Sequence, residues 1–241
     1  MDIFGKALTD YFINGKTDVL HLYNSYLEPE EMPLDIFFRT AKEMPILEHK
    51  ALALCYGKTL DVGAGVGSHA LLLQDLNIDV TAIDICADAV KIMKQRGVKK
   101  AFTQNILTST EKYDTLLFLM NGIGLTETLP KFRAFLSKAK DLINPGGQLV
   151  FDSSDISYLF DVLEKPSQHY FGEISYCYEY QNVSGKWFNW LYIDKKTLTQ
   201  EAETQGWKCE IIYEDDQDQY LARLKLISYS DYFSVGERPD R

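Results

Sequence analysis

The stretch 59–71 constrains the fold of this chain more than any other part of its sequence. Glycine occupies every second position in its centre, at Gly63, Gly65 and Gly67. Alternating glycines let the backbone turn tightly and approach a ligand closely, because no Cβ atom stands in the way. The pattern predicts a buried strand, a glycine turn and a helix that begins near Ser68. Amide groups at the start of such a helix favour polar or anionic ligand groups, so we expect half of a nucleotide-type site here.

Strand and helix patterns alternate along the chain after this loop. The apolar run 115–120 has the continuous hydrophobicity of a central parallel strand that is covered on both faces. This alternation predicts an α/β fold with a doubly wound parallel sheet, in which ligands bind at the carboxyl ends of the strands. The predicted strands are 80–84, 100–103, 115–120 and 148–152, and the predicted helices are 68–76, 88–95, 129–142 and 156–163.

Polar side chains fall near the predicted carboxyl ends of several strands. The parallel arrangement brings these ends to one edge, so we expect the side chains to line one cleft. Asp84 ends the second strand, where its two oxygens could accept hydrogen bonds from both hydroxyls of a ribose. The residues in question are Asp61, Asp84, Asn105, Asn121, Asp152 and Asp155.

The glycine spacing also discriminates between nucleotide ligands. A dinucleotide loop has the pattern G-x-G-x-x-G, whereas this loop has G-x-G-x-G with Asp61 two residues before it. The loop also lacks the G-K-[ST] ending of a P-loop, which disfavours nucleoside triphosphates. A carboxylate at Asp61 would repel a pyrophosphate and would suit a cationic group such as the ammonium of an amino acid. A nicotinamide-dependent oxidoreductase is therefore disfavoured.

Four motifs follow one another in the sequence: the glycine loop 61–67, Asp84 after 80–83, Tyr113-Asp114 before an apolar strand, and 142–147 before another. Together they resemble the ordered motifs of class I S-adenosylmethionine-dependent methyltransferases. The resemblance extends over about residues 57–155, and each motif has its expected place relative to a strand. It implies a mostly parallel, seven-stranded, Rossmann-like sheet, completed by an antiparallel C-terminal strand from the last hairpin, 207–213 and 220–226.

The resemblance further implies S-adenosylmethionine as cofactor, S-adenosylhomocysteine as its product, and a role for each matching residue. Asp61 would help to hold the methionine amino group, and Asp84 would bind the ribose. Ile85 would contact the adenine, and Asn105 occupies the place where the family often has an acid facing the adenine amino group. The strand before Asn121 would face the methionine and the methyl group. The implied cofactor-binding set is Asp61, Gly63, Ala64, Gly65, Gly67, Asp84, Ile85, Asn105, Ile106, Met120 and Asn121.

Two regions flank these motifs. Residues 1–55 are expected to form an N-terminal helical cap or lid, with helices at about 7–12, 19–27, 34–42 and 46–55, and residues 56–241 to form the cofactor-binding domain. An extra aromatic hairpin is inserted at about 172–194. It is expected to be either a flap or dimer contact, or a wall of the substrate pocket in which Trp187, Trp190 or Tyr178 stacks on the acceptor.

A sulfonium methyl group is already activated. The protein therefore needs only to align a nucleophile with the bond between sulfur and the methyl carbon and to exclude water. An oxygen acceptor can need a general base, and an amine must arrive unprotonated. The sequence does not single out one catalytic residue. The candidates are Asn121, Asp152, Asp155, His69 and Tyr11, although His69 is expected to pack against the sheet and Tyr11 only to orient a substrate.

Composition limits the partners. The formal net charge of −10 argues against nucleic acid, and the four cysteines lack the C-x-x-C spacing of a zinc site or redox pair. We expect free thiols, no metal, and no membrane anchor or secretion signal, in a cytoplasmic monomer or homodimer. The leading hypothesis is methyl transfer to an O or N atom of a small molecule. An aminopropyl transferase and a non-catalytic binding module are the alternatives.

Overall fold

The computed structural model describes residues 2–227, which form two β-sheets with helices around them. Short 3-10 turns link some of the elements, notably Leu34–Phe38, Ala41–Glu43, Ile106–Thr108, Gly122–Thr126 and Ser157–Asp161. The elements are α1 (Ile3–Asn14), β1 (Leu20–Asn24), β2 (Glu30–Met32), α2 (Ile46–Leu54), β3 (Lys58–Val62), α3 (Ser68–Asp75), β4 (Asp79–Asp84), α4 (Ala87–Arg96), β5 (Ala101–Thr103), β6 (Tyr113–Phe118), α5 (Leu129–Leu142), β7 (Ile143–Ser154), β8 (Glu173–Tyr180), β9 (Val183–Ser184), β10 (Phe188–Leu191), α6 (Lys195–Thr204), β11 (Trp207–Glu214) and β12 (Gln219–Leu226).

The main sheet has seven strands in the order β11-β12-β7-β6-β3-β4-β5. Strands β3 to β7 run parallel, and β12 and β11 are added antiparallel at the β7 edge. The predicted fold class, a doubly wound and mostly parallel sheet, is confirmed. The continuous apolar run in β6 is explained by its central place, since Leu116, Leu117 and Phe118 are fully buried between two layers.

Local interactions fix an end of two of the helices beside this sheet. Helix α5 begins after Thr128, whose side chain accepts a hydrogen bond from the Lys131 amide, and α4 ends at Gly97 in the left-handed conformation. Residues 144–147, part of the motif at 142–147, lie inside β7, where the pairing with β6 jumps from Ile143 to Gln148. These four residues form an irregularity in the strand and leave the parallel register beyond it intact.

A second, antiparallel sheet has the order β10-β8-β1-β2, with β9 paired to β8. The helix predicted at 19–27 is therefore wrong, because β1 lies there. Leu20 and Leu22 are buried at strand spacing, and Leu20 is paired with Tyr180 of β8. The long-range pairing outweighs the weak helical spacing that ended in Leu27, which is exposed.

Two other predicted helices are shorter than expected. Residues 34–42 form two 3-10 turns, separated by extended backbone at Arg39 and Thr40, and the side chain of Glu43 caps the amide of Thr40. Residues 156–163 contain only the 3-10 turn Ser157–Asp161. Each turn is too short to bury a full apolar stripe, and neither shows the sustained period on which a longer helix depends.

The second sheet covers the carboxyl edge of the main sheet. Its inner face packs on α1, where Phe4 stacks on Tyr178 with the ring centres 5.1 Å apart. At the other end, β10 contacts the turn after β6, and the Trp190 indole lies against Gly124. The aromatic hairpin and the N-terminal strands therefore form one layer over the strand ends. None of the helices within residues 2–227 has both the length and the apolar content needed to cross a bilayer.

Candidate active site

The glycine loop has the tight geometry that its sequence predicts. Gly63, Gly65 and Gly67 have φ angles of 69°, 55° and 85°, and the amides of Gly63 and Ala64 both donate to the carbonyl of Ile83 at 2.9 and 3.1 Å. A Cβ atom on Gly63 would lie 2.7 Å from a methyl group of Leu125. The loop is thus fixed to β4 and passes close to the turn after β6.

Asp84 ties the loop to the end of β4. Its Oδ2 accepts a hydrogen bond from the amide of Gly65 at 2.9 Å, and its Oδ1 accepts one from the amide of Cys86 at 2.8 Å. Burial raises the pKa of the Asp84 carboxyl, although these amides oppose the rise. Each carboxylate oxygen can accept a second donor, so the side chain could still bind ligand hydroxyls.

Asp61 lies beneath the loop with an unpartnered oxygen. The side chain is only 1% exposed, and its Oδ2 has no hydrogen-bond partner among the described residues. Burial raises the pKa of Asp61 to about 6, against the opposing charge of His69. A buried acceptor without a donor is costly, and an ammonium group would satisfy it. This carboxylate therefore fits the amino-acid tail of a sulfonium cofactor.

A buried chain of charges supports Asp61 from the opposite side. His69 Nε2 lies 2.8 Å from Glu48 Oε2, and Arg39 Nη2 donates to Glu48 Oε1 at 2.5 Å. Burial lowers the pKa of His69, but the hydrogen bond to Glu48 and the charges of Asp61, Glu48 and Asp152 outweigh it and raise that pKa. His69 is thus buried, as expected, and is hydrogen-bonded to Glu48. Sequence reasoning missed Glu48 and Arg39 because no local pattern marks such a pair.

The turn after β6 is strained and firmly held. Met120 and Asn121 have φ angles of 62° and 54°, in the left-handed region that costs about 1 kcal/mol or more per residue. The amide of Asn121 donates to Asp152 Oδ2 at 2.9 Å, and the Trp190 indole N–H donates to the carbonyl of Asn121 at 3.1 Å. Ser154 Oγ donates to Asn121 Oδ1 at 3.0 Å. The strain was not visible in the sequence.

Asp152 is the second buried carboxylate at this edge. It is 1% exposed, and its Oδ2 accepts hydrogen bonds from the Asn121 amide and, at 2.8 Å, from Gln219 Nε2. Its Oδ1 has no partner within the described part of the chain. Burial raises the pKa of Asp152 to about 6. At neutral pH it is mainly ionised, so it could attract a cation or accept a proton.

Aromatic side chains from the second sheet face these groups. We call them the aromatic face; its members are Tyr176, Tyr178, Phe188, Trp190 and Tyr192. Phe188 lies 5.1 Å from Tyr178 and 6.4 Å from Trp190, measured between ring centres, and the hydroxyls of Tyr176 and Tyr192 are 3.2 Å apart. Trp187, by contrast, is 59% exposed.

The remaining candidate residues differ in their exposure and in their bonding and packing partners. Ile85 follows Asp84 and is 69% exposed, which leaves its surface open to a flat ligand. Asn105 Oδ1 accepts the amide of Leu107 at 2.9 Å and so caps the turn that contains the buried Ile106. Asp155 likewise accepts the amide of Ser157 at 2.9 Å. Tyr11 packs on Phe38, with ring centres 4.9 Å apart.

Metal clusters and surface grooves do not offer a better site. Within residues 2–227, no group of three His, Cys, Asp or Glu side chains is placed to hold a metal ion. A surface groove of about 620 Å³ lies beside the end of α1, lined by Asp10, Lys16, Tyr180 and Gln181 among others. It shares no residue with the carboxyl edge of the main sheet, where the unpartnered carboxylates are, so we place the active site at that edge.

Comparisons with known proteins agree with this geometry. A methyltransferase-domain family model matches residues 35–210. The crystal structure of an S-adenosylmethionine-dependent methyltransferase from Bacteroides fragilis, in complex with S-adenosyl-L-homocysteine, is 42% identical over 94% of this chain and 95% of that one, with a TM-score of 0.88. The CcbJ methyltransferase from Streptomyces caelestis is 12% identical over 94% of this chain and 98% of that one, with a TM-score of 0.65, and shows the shared fold alone.

A search of curated proteins gave no match. The family match extends over most of the chain, and the Bacteroides fragilis protein is similar along nearly its whole length. The chain therefore belongs to the class I S-adenosylmethionine-dependent methyltransferases, and its methyl donor is S-adenosylmethionine.

Proposed function

We propose that this methyltransferase acts on an O or N atom of a small molecule bound between the glycine loop and the aromatic face. The observation that carries this proposal is the position of the second sheet, which lies over the strand ends and contacts the turn after β6 through Trp190. A covered site of this kind suits a compact acceptor better than a polymer, and the net charge of −10 disfavours nucleic acid.

The proposed cofactor contacts follow from the loop. Asp61 presents its unpartnered Oδ2 to the ammonium group of the methionine part, and the glycines let the backbone approach the same part closely. Asp84 receives the ribose hydroxyls. Ile85 and Ile106 contact the adenine, near Asn105. Ala64, Met120 and Asn121 complete the set.

The protein's contribution to the chemistry is mainly alignment. The cofactor, when bound, supplies an already activated methyl group. Asp152 and Trp190 hold the strained Asn121 turn at two points, so the groups that face the acceptor are fixed before it binds. For an acceptor that must lose a proton, we propose Asp152 as the acceptor of that proton, because its Oδ1 has no partner in the described chain and its pKa is about 6.

We also propose that the protein works in a reducing, cytoplasmic compartment, as a monomer or homodimer without nucleic acid. All four cysteines are free, and Cys55, Cys86 and Cys177 are buried. Burial raises the pKa of Cys55 and of Cys86 to about 12, so these thiols are held in their protonated, unreactive form.

The test is methyl transfer from S-adenosylmethionine that carries a labelled methyl group, with a fractionated pool of polar metabolites as acceptors. We expect label in a product of low molecular mass and an equal amount of S-adenosylhomocysteine. The control is Asp61→Asn, which should bind S-adenosylhomocysteine weakly and transfer little label. Label found only in added protein or nucleic acid would contradict a small-molecule acceptor.

A further inference from the structure

We propose that the acceptor atom is an amine nitrogen, and that the acceptor binds as its ammonium form between the aromatic face and Asp152, with Glu30 at the rim. This inference rests on the proposed function and narrows it from an O or N atom to one substrate class. Three observations support it. The register of the second sheet places the aromatic residues on one face, carboxylates lie near that face, and the nearby Arg39 and His69 already bond to Glu48.

The register places the aromatic residues on one side of the sheet. Directly opposed residues of antiparallel strands share a face, and Phe188 is opposite Tyr176. Across the next strand, Leu22 lies opposite Tyr178 and also opposite Glu30. Glu30 therefore projects to the same side as the aromatic residues, from the edge strand β2, where it is exposed.

Trp190 and Asp152 are joined through one residue. The carbonyl of Asn121 accepts the Trp190 indole N–H, and the amide of Asn121 donates to Asp152 Oδ2. The Trp190 indole and the Asp152 carboxylate are thus both hydrogen-bonded to the same residue of the turn. Because Asp152 Oδ1 is buried and unpartnered in the described chain, this arrangement offers a cation both a ring surface and a negative partner.

The charges that act on the aromatic face are carboxylates. After burial, which has the largest effect, the pKa of Tyr192 is raised by the charges of Glu30 and Asp152, even though the Tyr176 hydroxyl opposes the rise. The pKa of Tyr178 is raised by burial and then, among carboxylates, by Asp2 and Asp84. Carboxylates from four different parts of the chain therefore act on the tyrosines of this face.

The nearby cationic groups are bound elsewhere. Arg39 donates to Glu48, and His69 is paired with the same carboxylate. An anionic acceptor would therefore meet repulsion without a compensating partner. A neutral alcohol could donate a hydrogen bond to a carboxylate, but it carries no full charge for the rings and the carboxylates to attract. An ammonium group gains from both, since the ring faces and the carboxylates attract the same sign of charge.

Methyl transfer to an amine accounts for every atom and electron pair. The bound ammonium first loses a proton to the Asp152 carboxylate, so that the nitrogen has a lone pair. The nitrogen then forms its new bond to the methyl carbon with that pair, while the electron pair of the carbon–sulfur bond stays with sulfur. The product is an N-methylammonium ion and the neutral thioether S-adenosylhomocysteine, and no oxidant or reductant takes part.

The test compares two probes of nearly equal shape, benzylamine and benzyl alcohol, titrated calorimetrically into the full chain saturated with S-adenosylhomocysteine at pH 7.5. We expect benzylamine to bind about tenfold more tightly than the alcohol. Equal binding, tighter binding of the alcohol, or no measurable binding of the amine would overturn the proposal.

Two variants show where any preference arises. Glu30→Gln changes an exposed residue, so the fold is kept, and it should reduce the preference for the amine about threefold. Glu179→Gln removes a carboxylate from the other side of β8, where it bonds to Ser184, and should change nothing. An equal effect of both variants would overturn the proposed position of the ammonium group.

The same titrations separate this inference from the proposed function. If S-adenosylhomocysteine binds and labelled methyl enters small molecules that carry no amine, the proposed function stands and the amine inference fails. If labelled methyl enters only macromolecules, the proposed function itself fails.

Discussion

The main sheet and the second sheet are built from the chain in opposite ways. The main sheet takes its five parallel strands from one continuous part of the chain, residues 58–154, and most of its neighbouring strands are consecutive in sequence, although β3 lies beside β6. The second sheet joins β1 and β2, near the start of the chain, to β8 and β10, which follow β7. The cofactor groups lie on the first sheet, and the aromatic face lies on the second.

This difference suggests that the two sheets bind different ligands. The cofactor side is preorganised by short-range contacts, such as those from Asp84 to Gly65 and Cys86. The acceptor side depends on long-range strand pairing and on contacts with the turn after β6, among them the hydrogen bond from Trp190 to Asn121. We therefore expect changes on one sheet to affect one ligand much more than the other, and the following predictions test that separation.

The largest expected effect is on the cofactor. Asp84→Ala removes the group that holds the glycine loop and is proposed to bind the ribose, so the affinity for S-adenosylhomocysteine should fall about 100-fold. Calorimetric titration checks this. Asp88→Ala is the matched control, because Asp88 is a partly exposed acid in the next helix that pairs with Lys91. It should leave the affinity unchanged, and an equal loss in both variants would refute the assignment of Asp84.

The second prediction concerns pH. The pKa of Asp61 is raised to about 6, so the carboxylate is charged above that pH and becomes protonated as the pH falls through it. Affinity for S-adenosylhomocysteine should therefore be full at pH 7.5 and about tenfold lower at pH 5. Titrations across this range give the midpoint.

Two variants assign that midpoint to its groups. Asp61→Asn should bind weakly at every pH, with a flatter profile. His69→Gln removes the positive charge that lowers the pKa of Asp61, and it should move the midpoint to higher pH, while the new amide side chain can still hydrogen-bond to Glu48. A midpoint that does not move would show that His69 has no electrostatic effect on Asp61.

The third prediction concerns the hydrogen bond from Trp190 of the second sheet to Asn121 in the turn after β6. A Cβ atom on Gly124 would lie 2.0 Å from the Trp190 indole nitrogen, so Gly124→Ala must displace Trp190 from Asn121. Loss of one hydrogen bond, about 1 kcal/mol, corresponds to about a fivefold fall in kcat/KM for the acceptor. Initial rates of label transfer measure it. Gly146→Ala is the control for rate, because a Cβ there meets no atom within 4 Å; it should change stability only.

The smallest effect is expected at Asn105. Asn105→Asp restores the acid that the family often has here, but Asn105 Oδ1 already accepts the amide of Leu107. The affinity for S-adenosylhomocysteine should change less than about threefold. A larger gain, measured by the same titration, would mean that this oxygen is free to bind the adenine.

The fold of the main sheet could be predicted because its signals are local. The glycine spacing, the apolar run of β6 and the cap of α5 each act within a few residues. The family resemblance in the sequence agrees with the structural comparisons. The strand at Leu20–Asn24 could not be predicted, since its pairing with Tyr176–Tyr180 is set by distant residues.

In the candidate site, too, local features were predictable and long-range contacts were not. Asp61 and Asp84 were accessible from the sequence because they end strands next to the glycine loop. The support from Glu48 and Arg39 was not, because a buried ion pair across elements has no sequence spacing of its own. The left-handed Met120 and Asn121 were also hidden, since neither type of residue demands that conformation.

The separation of the two sheets is tested most directly by one measurement, the dissociation constant of S-adenosylhomocysteine for Trp190→Leu. The exposed Trp187→Leu serves as the matched control. If the cofactor is held by the main sheet alone, the constant for Trp190→Leu stays within about twofold of the wild-type value, as it does for Trp187→Leu. A tenfold weakening confined to Trp190→Leu would contradict the account, because it would show that the aromatic face supports cofactor binding through Asn121.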